Sequence, residues 1–254
     1  MDLKYFETWV LKEYSIDLSA YKSNQLHRRI LTLMSRVGAN SVEEYISMLK
    51  SSAEQKQKFL DYITINVTEF YRNPEIFREL NNFIKSNLSY NKPLKIWSAA
   101  CSIGAEPYSI AMMLKDISPS VRHKIIATDI DNTILKRAKD GVYVGSDVKN
   151  VPSSQLDKYF IKQGDKFQIK DEIKEMVTFK KHDLILDSYE GNFDIIVCRN
   201  VVIYFTNEIK EKIYEKFSTS LNKGGLFFIG ATESIYNYKK YNFEKLSTFI
   251  YKKI

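Results

Sequence analysis

The sequence predicts an α/β protein in which a small helical domain precedes a doubly wound, mostly parallel sheet that ends in an antiparallel hairpin. Three observations carry this. Residues 1 to about 65 keep helical periodicity, with glycine and β-branched runs nearly absent. From Leu94 onward, short β-rich segments alternate with helical ones, as crossover connections in a parallel sheet require. The tail, YNFEKLSTFIYKKI, has two apolar stretches and no helix between them, which suits a hairpin added to the sheet edge.

Four helices are expected first: DLKYFETWVLKEY, SNQLHRRILTLMSRVG, SVEEYISMLKS and AEQKQKFLDYI. In the second, Leu26, Ile30, Leu33 and Val37 form a buried stripe and Gly38 is a stop. Ser41 with Glu44 makes a capping box for the third. After Asn73-Pro74, PEIFRELNNFIKSNL reads as a helical linker closed by SYNKP. Strands follow at LKIWSAA, KIIATDI, MVTFKKHDL, FDIIVCRN and GGLFFIGAT, with helices at AEPYSIAMMLKDI, DNTILKRAK and TNEIKEKIYEKFSTSLN. The alternation lapses between Val142 and Glu175, so a small β insertion is expected near 159–180. This divides the chain into a helical domain (1–73), a linker (74–93) and a sheet domain (94–254).

Composition narrows the class. The 254 residues carry 38 Lys+Arg against 31 Asp+Glu, a net +7. Two distant cysteines, Cys101 and Cys198, make neither a disulfide framework nor a CxxC zinc site. The three histidines lack ligand spacing, so no metal is expected. Early charges (Asp2, Lys4, Glu7) and the lack of a long apolar run point to a cytoplasmic protein without membrane insertion. Part of the positive charge is local. No Asp or Glu occurs from Leu18 to Val42, where Lys22, Arg28, Arg29 and Arg36 stand. Lys22, Arg29 and Arg36 recur every seven residues along one edge of the apolar stripe, and Arg28 points nearly opposite. A solvated helix face and a docking surface both fit; nucleic-acid binding fits less well, because no aromatic residues interleave with the charges.

In an open α/β sheet, ligands bind beyond the carboxyl ends of the strands, at the switch point. The turn after the first strand, Ala99–Pro107, has a single glycine, Gly104, and matches neither GxGxxG nor a P-loop. A ligand bringing phosphates is therefore poorly supported. Glu106 suits a cationic group, although alone it reads first as a helix N-terminal charge. Asp129, ending the second strand, suits ribose hydroxyls or a helix N-cap, with Asp131 as well placed for the cap. Asp183 beside Leu184 suits an adenine. Together these suit a nucleoside with a positive centre and no phosphates, and S-adenosylmethionine fits.

The sequence resembles the CheR-type chemotaxis receptor methyltransferases through nearly its whole length. The likeness lies in Asn66-Val67-Thr68-Glu69-Phe70-Tyr71-Arg72, WSAACSIGAEPYSIA, ATDID, DIIVCRNVVIYF and GATES. It implies a Rossmann-like S-adenosylmethionine-dependent methyltransferase sheet. It also implies that Asn66, Thr68 and Arg72 close over the site from the helical side. Glu106 would face the cofactor's amino-acid end, Asp129 the ribose, and Asp183 and Leu184 the adenine. Asn200 and Val201 would follow the fourth strand, and Tyr204 would stand near the transferred methyl group. Ile103 and Ala105 replace a common Thr and Glu, Tyr71 replaces Phe, and Asp183 stands where Asn is frequent.

The resemblance further implies the reaction. Methyl transfer to glutamate carboxylates on the cytoplasmic helical region of methyl-accepting chemotaxis receptors gives γ-glutamyl methyl esters and S-adenosylhomocysteine. A carboxylate with a pKa near about 4.3 is already a nucleophile at neutral pH, so no general base is needed. Arg72 would orient it, and the Lys22/Arg28/Arg29/Arg36 helix would dock the acidic receptor. The expected enzyme is a monomer that binds no nucleic acid. The alternative is an S-adenosylmethionine-dependent methyltransferase acting on RNA or another protein.

Overall fold

The computed structural model describes residues 3–64 and 68–254. The chain divides into two compact units: residues 1–66 with 204–211, and residues 67–203 with 212–254.

The first unit contains α1 (Lys4–Tyr14), α2 (Ser23–Val37), α3 (Val42–Ser51) and α4 (Ala53–Thr64). Phe6 stacks on Tyr45 at 5.7 Å and meets Phe59 edge-on at 5.6 Å, which ties α1 to α3 and α4. Gly38 ends α2 with φ of 75°, the left-handed stop its position predicts. Ser41 Oγ accepts from the Glu44 amide at 3.1 Å, while the Glu44 carboxylate reaches the Asn40 amide at 2.8 Å, one residue beyond a strict capping box. The buried stripe of α2 is Leu26, Ile30, Leu33 and Met34; Val37 is only half-buried, because it lies in the last turn. The segment 204–206 is laced to this unit, with Tyr21 bridging Phe205, and the Lys22 and Thr206 amides donating to Tyr204 and Ala20 at 2.9 Å.

The second unit opens with α5 (Pro74–Asn87), β1 (Lys95–Ala99), α6 (Ala105–Ile117), β2 (Lys124–Asp129) and α7 (Asn132–Asp140). A small excursion follows: β3 (Val142–Val144), α8 (Gly145–Val148), α9 (Ser153–Tyr159), β4 (Phe160–Gln163), β5 (Lys166–Ile169) and α10 (Asp171–Lys174). The main sheet resumes with β6 (Val177–Lys181), β7 (Phe193–Cys198), α11 (Asn207–Ser220), β8 (Leu221–Ile229), β9 (Phe243–Lys245) and β10 (Ile250–Lys253). The order is β6-β2-β1-β7-β8-β10-β9. The first five strands are parallel, and β10 and β9 run antiparallel at the edge, as the helix-free tail predicts.

Strand alternation sends Ile96, Ile125, Ala127, Ile195 and Val197 to one face, in a core shared with α5, α6 and α7. Trp97, Ile196 and Phe227 take the other, where Phe217 of α11 meets Trp97 at 5.3 Å and Phe227 at 5.1 Å. The segment read as a linker is thus partly a layer of the domain: α5 buries Ile76, Phe77, Leu80 and Ile84 in the main core. The insertion is a three-stranded sheet, β3-β5-β4, whose hairpin falls near 160–169. Its third strand comes from Val142–Val144, whose three residues are too few to show periodicity, and Val177–Lys181 belongs to the main sheet.

Candidate functional site

The parallel strands bring four loops to one edge. Ala99 of β1 pairs with Thr128 of β2 and with Cys198 of β7, and Asp129 pairs with Lys181 of β6. The chain departs from β1 to β2 on one side and returns at β7 on the other, so the switch point lies beyond β1.

The turn after β1 places Ala100, Ser102 and Gly104 in the left-handed region, with φ of 59°, 50° and 84°. The Cys101 amide donates to Thr128 O at 2.8 Å and the Ser102 amide to Asp129 Oδ2 at 2.9 Å. A Cβ on Gly104 would stand 3.1 Å from both Ala138 Cβ and Phe179 Cζ, so the turn packs closely on α7 and β6. Gly104 opens α6 and puts Glu106 in its first turn. The Glu106 side chain is only 12% exposed, with Oε2 3.7 Å from the Arg199 guanidinium and Oε1 accepting from Ser98 Oγ at 2.8 Å. Burial raises its pKa, and Arg199 and Ser98 oppose the rise.

Asp129 is buried, its second oxygen accepting from the Asp131 amide at 3.1 Å. Desolvation pushes its carboxyl up to about 6 against the amides that favour the charge. The helix cap is Asp131, which accepts from the Thr133 and Ile134 amides at 2.8 and 3.4 Å. The cap role therefore falls to Asp131 and not to Asp129. Beyond β6, Asp183 Oδ1 accepts from the Ile185 and Leu186 amides at 2.7 and 3.2 Å, and Leu184 beside it is buried.

Arg199, at the end of β7, is 7% exposed. One nitrogen donates to Arg72 O at 2.8 Å and Asn73 Oδ1 at 3.1 Å, and the guanidinium lies 5.2 and 4.8 Å from the Phe77 and Phe228 ring centres. Asn200 turns the chain with φ of 60°. Glu233 fixes that turn from the loop after β8: its carboxylate accepts from the Gly230, Asn200 and Val201 amides at 2.7, 2.9 and 3.1 Å. Arg199 and Glu233 stand at this same edge of the sheet, and the sequence reading gives them no role. Their signals are present, as a lone cation ending the apolar strand DIIVC and the acid of GATES, but neither names its partner.

The other expected site residues fall as follows. Thr68 and Arg72 belong to the sheet unit, not the helical one: the neighbouring Phe70 and Tyr71 amides donate to Asp147 O and Ser109 Oγ at 2.9 Å. The charge of Arg72 acts on both Glu106 and Arg199. Asn66 lies outside the described residues. In the helical unit, Tyr204 lines a depression with Tyr21, Lys22, Arg28 and Arg29. Arg28 also lines this depression, although its wheel position points it nearly opposite the apolar stripe. Arg36 lines a separate groove with Lys58 and Tyr62. The two cysteines are buried free thiols.

Three buried polar atoms on the strand-end loops lack a partner among the described residues: Ser102 Oγ, Asp183 Oδ2 and Asn200 Oδ1. Leaving such an atom unpaired costs about 1–3 kcal/mol, so a polar ligand at this edge would recover that loss. The base and ribose of a nucleoside offer the donors and acceptors, and Glu106 offers a carboxylate for an ammonium. Acidic residues after β2 and β6, a buried glutamate heading α6 and no phosphate cradle define a Rossmann-like, S-adenosylmethionine-binding transferase.

Residues 66–251 match the family model described as CheR methyltransferase, SAM binding domain, and residues 1–64 match CheR methyltransferase, all-alpha domain. The chain is 39% identical over 252 residues to a chemotaxis protein methyltransferase of Listeria monocytogenes, covering 98% of this chain and 96% of that one. It is 37% identical over 259 residues to the chemotaxis protein methyltransferase of Borreliella burgdorferi (96% and 91% covered). With that of Escherichia coli it shares 31% over 235 residues (89% and 81%). The chain belongs to the CheR methyltransferase family. It is an S-adenosylmethionine-dependent methyltransferase of chemotaxis. Among the described residues no helix is long and apolar enough to cross a membrane.

Proposed function

We propose that this enzyme is a protein-glutamate O-methyltransferase whose substrates are glutamate side chains on the cytoplasmic helical region of chemoreceptors, and that it works as a cytoplasmic monomer without nucleic acid. The observation that carries the reading is α2: Lys22, Arg28, Arg29 and Arg36 stand in a stretch free of acids from Leu18 to Val42, a surface suited to an acidic protein helix.

S-adenosylmethionine, when bound, supplies the methyl group on a positively charged sulfur. Glu106 holds the ammonium of its amino-acid end, Asp129 the ribose hydroxyls, and Asp183 with Leu184 the adenine edge and face. Asn200 and Val201, fixed by Glu233, complete the floor, and Thr68 covers it. The acceptor carboxylate is ionised before it arrives, so catalysis is alignment and exclusion of water. Arg72 orients it through a planar donor pair.

The test is transfer of labelled methyl groups to receptor-containing membranes and, in parallel, to RNA. Base-labile label released as methanol from the membranes is expected. Base-stable label, or label in RNA, would replace the reading with methylation of another acceptor. Arg72→Ala should lower turnover much more than cofactor affinity.

A further inference from the structure

Arg72 stands between two residues in the left-handed region: Tyr71 has φ of 49° and Asn73 φ of 62°. Asparagine enters this region readily, but a bulky aromatic stays there only where its surroundings hold it. Those surroundings are specific. The Tyr71 amide donates to Ser109 Oγ at 2.9 Å. Ser109 is fully buried in α6, and its own hydroxyl is committed to Ala105 O at 2.7 Å. The Tyr71 ring meets Phe77 edge-on at 5.3 Å. One residue earlier, the Phe70 amide donates to Asp147 O at 2.9 Å and its ring meets Tyr143 edge-on at 4.7 Å, which ties the segment to the small insertion. From the other side, Arg199 donates to Arg72 O at 2.8 Å and to Asn73 Oδ1 at 3.1 Å. That guanidinium is itself confined by the rings of Phe77 and Phe228.

These bonds converge on one residue. The Ser109 bond fixes the peptide plane before Tyr71, and the Arg199 bond fixes the plane after Arg72. The backbone between them is therefore set from both ends, and with it the direction in which the Arg72 side chain leaves the chain. The Asn73 side chain makes no capping bond to α5, so its contact with Arg199 is not explained by the start of that helix. Without the two bonds, Tyr71 would relax toward an ordinary φ and carry Arg72 with it. We infer that Ser109, and Asn73 acting through Arg199, are positioning residues that preset Arg72 for the acceptor carboxylate. This rests on the proposed role of Arg72 and adds the device that aims it. Alignment is the enzyme's contribution to this transfer, so loss of aim should fall on kcat and spare the cofactor.

The test measures labelled methyl transfer to receptor-containing membranes, with S-adenosylhomocysteine affinity followed by calorimetry. Ser109→Ala and Asn73→Gly should each lower kcat about three- to tenfold and leave that affinity within about twofold. Asn73→Asp keeps the acceptor oxygen and should hold kcat within about twofold of wild type. Asn73→Gly accepts a positive φ without strain, so it tests the clamp even where Ser109→Ala does not fold. In an Arg72→Ala background neither Ser109→Ala nor Asn73→Gly should lower kcat further, which a merely structural role would not produce. Wild-type kcat in Asn73→Gly, an equal loss in Asn73→Asp, or undiminished losses in the Arg72→Ala background overturn the clamp and leave the role of Arg72 standing. Wild-type kcat in Arg72→Ala itself overturns that role, and the clamp with it.

Discussion

Replacing Arg199 by methionine keeps the length of the side chain and removes its charge. The structure sets what is lost. Glu106 would keep Ser98 Oγ at 2.8 Å but lose the cation 3.7 Å away, in a position where its side chain is only 12% exposed. Arg72 O and Asn73 Oδ1 would lose a charged donor at 2.8 and 3.1 Å. Breaking a buried pair from one side typically costs about 3–5 kcal/mol, and a chain of this size loses roughly 2–4 °C of Tm per kcal/mol. Urea unfolding should therefore show about 3–5 kcal/mol of destabilisation and melting a fall of roughly 6–20 °C. In Glu106→Gln/Arg199→Met the uncompensated charge is gone, so the double variant should lose less than the sum by about 1–3 kcal/mol. The pH dependence fixes the cause. Burial already raises Glu106, and Arg199 is the largest influence opposing it. Without Arg199 the folded-state pKa rises further, so the ionised form costs more. Stability is then lost as pH rises from the ordinary carboxylate range through the raised value. The gap between variant and wild type should shrink in acid, where Glu106 is protonated in both. A loss under about 1 kcal/mol, additive single variants, or a gap that widens in acid would refute the reasoning.

Other consequences are as direct. The Asp129 carboxyl stands at about 6 against 3.8, so in the ligand-free protein its contribution to stability falls as pH rises from about 4 through 6. Ribose hydroxyls need the ionised acceptor, so calorimetry should show S-adenosylhomocysteine binding tightening severalfold from pH 5 to 7; a profile unchanged by Asp129→Asn would remove Asp129 from the site. Gly104→Ala combines φ of 84° with contacts at 3.1 Å, and should cost about 1–3 kcal/mol in urea unfolding; a change below about 0.5 kcal/mol would contradict the packing. Burial raises both thiols well above their ordinary pKa, so Cys101 and Cys198 should react with a disulfide reagent only on unfolding; rapid reaction of either in the native protein would contradict it.

Local pattern made much of the fold legible. Period 3.6 over residues 4–64, alternation from Leu94 and a helix-free tail lead to the helical unit, the parallel strands and the β9–β10 hairpin. Pattern is silent where elements are too short to repeat, as at Val142–Val144, whose pairing with β5 spans more than twenty residues. The site divides in the same way. Glu106, Asp129 and Asp183 are legible because strand ends mark them. Arg199 with Glu106, and Glu233 with Asn200, are pairings across 93 and 33 residues that only the sheet register creates.

The turn after β1 shows why a correct conclusion drawn from glycine count needs different support. One glycine suggested that this turn makes no cradle for phosphates, yet Ala100 and Ser102 adopt left-handed conformations alongside Gly104, so the backbone is as bent as a glycine-rich loop. What removes the cradle is the use of its amides. Cys101 N donates to Thr128 O, Ser102 N to Asp129 Oδ2 and Gly104 N to Cys101 O, at 2.8, 2.9 and 3.0 Å. An anion arriving there finds those donors engaged. The same engagement explains Asp129. Left-handed alanine and serine cost of order 1 kcal/mol each, and the bond from Ser102 holds that strain in place. The carboxylate that stabilises the turn is thereby fixed at the lip of β2, desolvated, with one oxygen on Ser102 and the other on Asp131. Burial raises the Asp129 pKa, and the bond from Ser102 that holds the turn opposes the rise. Relieving the turn with glycine at Ala100 should stabilise the fold slightly and leave Asp129 less firmly held for a ribose.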